Sequence, residues 1–175
     1  KILITGATGF IGRPLIRELF LKGHDIVILS RHPELARESI GFPIQAYSWK
    51  TEALPPPAAL EGVDAVYHLA GEPIAARRWN AGEKEKILKS RVLGTKNLLL
   101  GIAQMKNPPK TLISSSAIGI YGDRGDDELT EISHPGTGFL AEVCEAWERE
   151  LFAPALLPEI RRVAVRIGLV LASEG

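Results

Sequence analysis

The sequence predicts an α/β fold in which a doubly wound parallel sheet carries helices on both faces. Three observations predict it. Apolar runs of strand length alternate with helix-patterned segments along the chain, a glycine-rich turn separates the first apolar run from the first helix, and no internal repeat interrupts the alternation. Strands and helices that alternate in this way form a parallel sheet with right-handed crossovers.

The first thirty residues show the pattern most clearly. An apolar run at 2–4 leads into a turn with Gly6, Gly9 and Gly12, a helix pattern follows, and a second apolar run occupies 25–29. Gly6 allows a turn at positive φ, Gly9 lets the backbone approach a diphosphate, and Gly12 lets the helix pack closely on the strand. The helix then begins with free N–H groups that favour an anion. We therefore expect a Rossmann-like βαβ unit with a dinucleotide site. The alternative is an α/β domain whose turn holds no ligand.

The later elements follow from hydrophobic period and turn residues. Asn80 is a plausible N-cap of the longest helix, with Glu83 at the capping-box position. Three prolines at 55–57 exclude a central strand or a helix interior there. We expect helices at 33–39, 58–61, 80–105 and 138–152, and strands at 44–49, 65–70, 111–115 and 163–171.

Composition excludes several classes of function. Lys plus Arg equals Asp plus Glu, 21 against 21, which argues against a general nucleic-acid or membrane-surface binder. Cys144 is the single cysteine, so an intrachain disulfide is impossible and a reducing, cytoplasmic setting is expected. The sequence has no apolar run long enough to span a bilayer, no signal-peptide pattern and no metal-ligand cluster.

Several motifs then occur in a recognisable order. They are TGATGFIG at 5–12, DAVYHLAGE at 64–72, SRVLGTKNLL at 90–99, SSSAIGIYG at 114–122 and RIGLVLASEG at 166–175. Together they resemble the extended short-chain dehydrogenase/reductase superfamily. SRHP at 30–33, LAGEPI at 69–74 followed by RRW, and FLAEVCEAWE at 139–148 resemble its atypical, epimerase-like NADP-binding branch, the sugar-nucleotide epimerase-like proteins. The resemblance implies a dinucleotide-binding domain over 1–175, with a substrate-binding portion expected beyond it.

The end of the second strand predicts which dinucleotide binds. An acidic residue there selects NAD through the ribose 2′-OH, whereas this chain has Ser30 and Arg31. Arg31 can pair with a 2′-phosphate and Ser30 can donate to it, so we expect NADP(H). The alternative is a solvated surface arginine. The predicted cofactor-binding residues are Gly6, Thr8, Gly9, Phe10, Ile11, Gly12, Ser30 and Arg31, to which the resemblance adds Leu69, Ala70, Gly71 and Glu72.

The resemblance also implies a catalytic serine and a Tyr-x-x-x-Lys pair, in which the lysine lowers the tyrosine pKa and holds the nicotinamide ribose. Ser116, or its neighbour Ser115, matches the serine. The tyrosine–lysine pair falls within 139–148, a segment that has neither residue. Phe139 or Leu140 takes the tyrosine position, and Val143 or Cys144 takes the lysine position. No such pair transfers a proton, so two readings stay open: an NADP-dependent oxidoreductase or epimerase that acts on a small molecule, or an NADP-binding sensor without turnover. The resemblance allows a homodimer.

Other polar or aromatic side chains could serve the site, but each has a simpler interpretation. Trp49 could flank adenine, but a half-buried tryptophan at the strand end is expected. His68 is expected to be a core histidine, Tyr121 a packed tyrosine and His134 a solvated histidine. Cys144 is expected to be a small core residue rather than a nucleophile, and Glu142, Glu145 and Glu148 a solvated face rather than an acid/base set. Residues 77–79 either clamp a ligand or form a surface loop anchored by Trp79.

Overall fold

The computed structural model describes residues 1–75, 77–153, 157 and 159–171. Its centre is a sheet of six parallel strands in the order β3-β2-β1-β4-β5-β6. The strands are β1 Ile2–Thr5, β2 Ile26–Ser30, β3 Gln45–Ser48, β4 Ala65–His68, β5 Thr111–Ala117 and β6 Arg161–Ile167. The helices are α1 Gly12–Leu21, α2 Pro33–Ile40, α3 Pro57–Leu60, α4 Ala81–Ala103 and α5 Phe139–Leu151. This confirms the predicted doubly wound α/β fold.

The strand order determines where a ligand can bind. β1 pairs in parallel with β2 on one side and with β4 on the other. The chain therefore adds β2 and β3 on one side of β1 and β4, β5 and β6 on the other, and the switch point lies between β1 and β4. In open α/β sheets a crevice forms at such a switch point, beyond the carboxyl ends of the strands. The loops after β1, β2 and β4 all lead to this edge.

Alternation along the strands builds two buried layers. On β1, Leu3 packs into a cluster with Leu98 and Leu112, while Ile4 packs into a second cluster with Ile16 on the opposite face. The first layer lies under α4 and the second under α1. The sheet is therefore buried on both faces, as the near-continuous apolar runs predict.

The carboxyl end of the last strand differs from the prediction. β6 covers Arg161–Ile167 rather than 163–171, because β5 ends at Ala117, which pairs with Ile167, and offers no further partner. Leu169 and Leu171 are 86% and 81% exposed, so the apolar run at the end of the predicted strand lies outside the sheet and that part of the prediction is wrong. β5 in turn continues into a short 3-10 turn, Ile118–Tyr121, which the sequence pattern did not indicate.

The helix predictions hold closely. The Asn80 side chain accepts a hydrogen bond from the Glu83 N–H at 2.9 Å, so the predicted N-cap of α4 is confirmed. Gly23 follows α1 at φ +81°, as expected of a glycine that ends a helix. Among the described residues, none of the helices has the length and apolar character required to cross a membrane.

Candidate functional site

A cleft of about 640 Å³ opens at the switch point, within the size range of sites for small molecules and cofactors. The loops after β1, β2, β3 and β4 form its floor and walls, and one face of α4 closes one side. Its lining residues from these loops include Gly6–Gly9, Leu29–Arg31, Trp49–Glu52 and Leu69–Pro73, and those from α4 are Lys86, Lys89 and Ser90.

The glycine turn after β1 has the geometry that a diphosphate requires. Gly6 lies at φ +69°, and a Cβ there would come within 2.6 Å of the Leu69 carbonyl group. A Cβ on Gly12 would lie 2.4 Å from the Gly6 carbonyl oxygen, so both glycines are needed for close backbone packing. A Cβ on Gly9 would meet only the Gly6 carbonyl oxygen, at 3.2 Å. No side chain of the described residues caps α1. The Arg13 N–H donates to the Gly9 carbonyl oxygen at 3.1 Å and residue 14 is a proline, so the N–H groups of Ile11 and Gly12, which have no acceptor among the described residues, are the ones available to an anion.

Thr5, at the end of β1, fixes the backbone of the loop after β4. Its Oγ1 accepts hydrogen bonds from the N–H groups of Leu69 and Ala70, both at 3.1 Å. A hydroxyl that accepts twice has its own proton free to donate, and the His68 Nδ1 lies 2.7 Å away. The wall of the cleft at Leu69 and Ala70 is therefore rigidly attached to β1.

His68 is the core histidine that the sequence predicted. It is fully buried, and its Nε2 is the buried side-chain polar atom without a hydrogen-bond partner in the described part of the chain. Burial lowers the pKa of His68 to about 4, because the apolar surroundings oppose the charged form. The ring is neutral near pH 7 and supports the fold rather than the chemistry.

The next loop residue, Glu72, is held at both backbone groups by α4. Its N–H donates to Ser90 Oγ at 3.0 Å, and its carbonyl oxygen accepts from Arg91 Nη1 at 3.0 Å. Its carboxylate lies 3.9 Å from the Arg31 guanidinium. Since β1 lies between β2 and β4, this ion pair crosses the mouth of the cleft above the glycine turn.

The structure brings most of the predicted cofactor residues together. Gly6, Thr8, Gly9, Ser30, Arg31, Leu69, Ala70, Gly71 and Glu72 line one cleft. Phe10, Ile11 and Gly12 do not line it, because they lead into α1 behind the turn. Ser30 Oγ accepts from the His32 N–H at 3.1 Å, and Arg31 is 71% exposed. The assignment of each residue to a cofactor stays a prediction.

Sequence reasoning missed two groups in the cleft. Lys50, Thr51 and Glu52 follow β3, and Lys86, Lys89 and Ser90 face the cleft from α4. Lys89 and Ser90 follow Lys86 by three and four residues, which is the spacing of one helix face, but only the packing shows that this face meets the cleft. Lys86 and Lys89 pair with Glu83 and Glu85.

The two candidate catalytic serines are both buried at the end of β5. Ser115 donates to the His68 carbonyl oxygen at 3.1 Å, and Ser116 donates to Glu148 Oε1 at 2.5 Å. Neither lines the cleft. The hydroxyl proton of Ser116, which would orient a substrate oxygen, is therefore committed to a carboxylate on α5. The catalytic role of both serines stays a prediction.

Glu148 corrects one expectation. The sequence suggested a solvated carboxylate, but its side chain is 12% exposed and forms two hydrogen bonds with Arg166, at 2.9 and 2.8 Å. Although burial opposes it, these bonds and that from Ser116 hold the pKa of Glu148 below its ordinary value. Arg166 also donates to Tyr121 Oη at 2.8 Å. Sequence spacing offers no signal for this network, because its members come from separate elements.

Phe139, one of the two residues at the expected tyrosine position, and Cys144, one of the two at the lysine position, pack among apolar and aromatic side chains. Phe139 packs edge-on against Trp79 at 5.4 Å between ring centroids, with Lys84 Nζ 5.0 Å from the Phe139 ring centre. Cys144 is buried in a cluster with Ile120 and Tyr121, and burial raises the pKa of its thiol. Cys144 and Tyr121 are thus packed core residues, as the sequence predicted.

The remaining candidates also take structural roles. Trp49 is 5% exposed, more buried than the half-buried residue expected, and its indole N–H donates to the Ala53 carbonyl oxygen at 2.8 Å, although the residue also borders the cleft. Trp79 donates to the Ile74 carbonyl oxygen at 2.7 Å, which anchors its surface loop, and His134 is exposed. The described residues contain no group of three or more side chains that could hold a metal ion.

The sheet order, the glycine turn and the cleft at the switch point define a Rossmann-type, NAD(P)-binding protein. The model of the NAD dependent epimerase/dehydratase family matches residues 2–141, and the chain belongs to that family. Among relatives, the chain is 36% identical to epimerase family protein YfhF of Bacillus subtilis, covering 100% of this chain and 56% of that protein. The chain spans about half the length of the curated relatives it matches.

Solved structures agree with this assignment. Human epimerase family protein SDR39U1, crystallised with NADPH, superimposes with a TM-score of 0.82 at 30% identity, over 99% of this chain and 55% of that one. The nucleoside-diphosphate sugar epimerase from Corynebacterium glutamicum gives a TM-score of 0.81 at 39% identity, over 99% of this chain and 35% of the other. The resemblance to extended, epimerase-like dehydrogenase/reductases is confirmed.

Proposed function

We propose that this chain is the NADP(H)-binding part of an epimerase- or reductase-like enzyme. The observation that carries the proposal is the position of Arg31 in the cleft. It follows β2, where NAD-selective sites place an acid, and it lines the same cleft as the glycine turn. The relative that was crystallised with NADPH supports the choice of the phosphorylated coenzyme.

The residues of the cleft fit such a ligand. The open side of Gly9 and the N–H groups of Ile11 and Gly12, which have no acceptor among the described residues, would hold the diphosphate. Arg31 would pair with the 2′-phosphate through its planar fork. Lys50 lies after β3, the strand next to β2, and adds a second cation to that end of the cleft. When bound, the coenzyme would supply or accept a hydride, and the walls at Leu69 and Ala70 would hold it in place.

Binding affinities test the proposal. The chain should bind NADPH more tightly than NADH by about 1 kcal/mol or more, since a charge-assisted pair contributes on that scale. Arg31→Ala should reduce this difference, whereas Arg17→Ala, which removes an exposed arginine of α1 away from the cleft, should preserve it. Equal affinities for NADPH and NADH in the unsubstituted chain would refute the NADP assignment.

A second candidate function is an NADP(H)-binding sensor or interaction module without turnover. Two features favour it: segment 139–148 has no tyrosine or lysine, and the Ser116 proton is donated to Glu148. The Ser116→Ala variant distinguishes the candidates. If the protein is an enzyme that uses Ser116, the variant loses turnover and keeps NADPH affinity, while a sensor shows no turnover with or without the substitution.

The proposal extends to partners and location. The enzyme candidate acts on a small-molecule substrate, and the charge balance of 21 against 21 argues against nucleic acid or a membrane surface as partner. We propose a cytoplasmic location on the single cysteine, and a homodimer is the oligomeric state to test. Size-exclusion chromatography with light scattering would measure the latter directly.

A further inference from the structure

Arg91 on α4 is a partly buried cation without a carboxylate within salt-bridge distance in the described part of the chain. The other two arginines near the sheet edge differ, since Arg31 pairs with Glu72 and Arg166 pairs with Glu148. Arg91 instead donates through Nη1 to the carbonyl oxygens of Glu72 and Ile87, at 3.0 and 3.2 Å. A partly buried positive charge that only neutral groups contact carries a desolvation cost that no ion pair offsets.

The guanidinium of Arg91 is fixed in orientation. Its Cζ lies 5.3 Å from the ring centre of Trp147 on α5, within the range of a cation–π contact. A Cβ added to Gly71 would lie 3.1 Å from the Arg91 Cζ, so the guanidinium also rests against the loop backbone. Held by an aromatic ring, a glycine and two carbonyl groups, it has little freedom to reorient.

One edge of the guanidinium stays open. Both hydrogen bonds of Arg91 are made by Nη1, and Nε and Nη2 have no hydrogen-bond acceptor among the described residues. These two nitrogens are the Arg91 donors left for a ligand. An arginine stays protonated even where burial lowers its pKa, so this edge presents N–H donors and a permanent charge.

Arg91 lies near the part of α5 where relatives carry a lysine and this chain does not. Trp147, whose ring the Arg91 guanidinium contacts, lies one helical turn beyond Cys144, one of the two residues at the lysine position. In relatives the lysine holds the nicotinamide ribose. The chain thus has no cation on α5 at this point but has one opposite, on α4.

The expected path of the bound coenzyme along the sheet edge also ends near Arg91. If Arg31 holds the 2′-phosphate beyond β2 and the glycine turn holds the diphosphate beyond β1, the other half extends past β4 toward β5. Arg91 touches Gly71 and Glu72 in the loop after β4, and Trp147 in the helix that packs on β5. Arg91 does not itself line the cleft, but it lies against the Gly71–Glu72 wall of the cleft, on the side that the nicotinamide half would occupy.

We propose that the Arg91 guanidinium binds the nicotinamide half of the coenzyme at its ribose hydroxyls, supplying from α4 the positive charge that relatives supply from a lysine on α5. The inference rests on the proposed function. It assigns Arg91 a binding role and leaves proton transfer to another group, because a guanidinium does not release its proton near neutral pH.

Two probes of different length separate this role from a structural one. NADPH spans the whole site, whereas adenosine 2′,5′-bisphosphate carries the adenosine half alone. In the full chain, Arg91→Met should weaken NADPH about tenfold or more, as expected for hydrogen bonds to a charged group, and should leave the bisphosphate within about twofold. Arg91→Lys should recover part of the NADPH affinity. Lys96→Met, which removes an exposed cation from the same helix, is the matched control and should change neither affinity.

The other outcomes overturn the inference in distinct ways. Equal weakening of both probes by Arg91→Met would show that Arg91 only holds the Gly71–Glu72 loop in place. Unchanged affinity for both would show that it does not reach the coenzyme. Failure of the unsubstituted chain to bind either probe would refute the proposed function itself, and the inference with it. Thermal unfolding of each variant shows whether the fold is retained, and Arg91→Lys preserves the test if Arg91→Met does not fold.

Discussion

His68 should make the fold sensitive to mild acid. Thr5 Oγ1 receives two backbone N–H groups and donates its proton to Nδ1 of His68, so the neutral ring with its proton on Nε2 fits the site. Protonation would put a second N–H at Nδ1, facing a hydroxyl whose lone pairs are already used. It would also place a charge in a fully buried position. Both effects disfavour the imidazolium in the folded state.

The size of the effect follows from the two pKa values. His68 has a pKa of about 4 in the folded protein and about 6.5 in an unfolded chain. Between these values the unfolded state binds more protons, so the free energy of unfolding rises with pH and falls as the solution is acidified. The loss is about 2 kcal/mol at pH 5 relative to pH 7.5, and about 3 kcal/mol once pH falls below the folded value.

Urea unfolding at a series of pH values from 7.5 to 5 measures this directly. Carboxylates also titrate in acid, so the difference between the unsubstituted protein and His68→Asn is the informative quantity. The amide retains a polar atom near Thr5 and does not titrate, so the two stability curves should converge by about 2 kcal/mol toward pH 5. His134→Asn, at an exposed histidine, should give a curve parallel to the unsubstituted one. Parallel curves for His68→Asn as well would refute the burial argument.

Three further substitutions test the packing around the site. Gly12→Ala places a Cβ 2.4 Å from a backbone oxygen, so it should lower the free energy of unfolding in urea by about 2 kcal/mol or more and weaken NADPH binding. The control, Gly82→Ala in α4, should be neutral or should stabilise the fold by up to about 1 kcal/mol. Glu148→Gln removes the charge that pairs with Arg166 and should lower the unfolding free energy by about 2 kcal/mol. An unchanged midpoint would show that the pair contributes nothing. Trp147→Phe loses the indole hydrogen bond to Thr95 and should cost about 1 kcal/mol; a calorimetric melting temperature equal to that of the unsubstituted protein would contradict it.

Local pattern was sufficient for most of the fold because most elements here are determined locally. The N-cap at Asn80, the glycine after α1 and the alternation that buries β1 on both faces are signals within a few residues of one another. The predicted end of β6 was wrong because the length of a strand depends on the length of the strand it pairs with. Residues 168–171 are apolar, but β5 offers no partner beyond Ala117, and pairing is a tertiary property.

The site was predictable in part for the same reason. The glycine turn and Ser30–Arg31 lie at strand ends, so topology alone places them on one edge of the sheet. Lys50 and the α4 face at Lys86 depend on how loops and helices pack, and no spacing in the sequence reports that. The Ser116–Glu148–Arg166 network joins β5, α5 and β6, which made Glu148 look like one more solvated carboxylate.

The arrangement on α5 bears on whether the protein turns over a substrate. An acid/base group must reach the substrate with a pKa near the working pH, and on this helix Phe139 has no ionisable group while Cys144 is buried with a raised pKa. Glu148 is held as a carboxylate by Arg166 and already accepts the proton of Ser116. The described residues of α5 therefore stabilise charge without offering a proton near neutral pH. A catalytic cycle on this scaffold would need its proton from a group outside the described part of α5, so turnover measured beside NADPH binding separates the enzyme from the sensor.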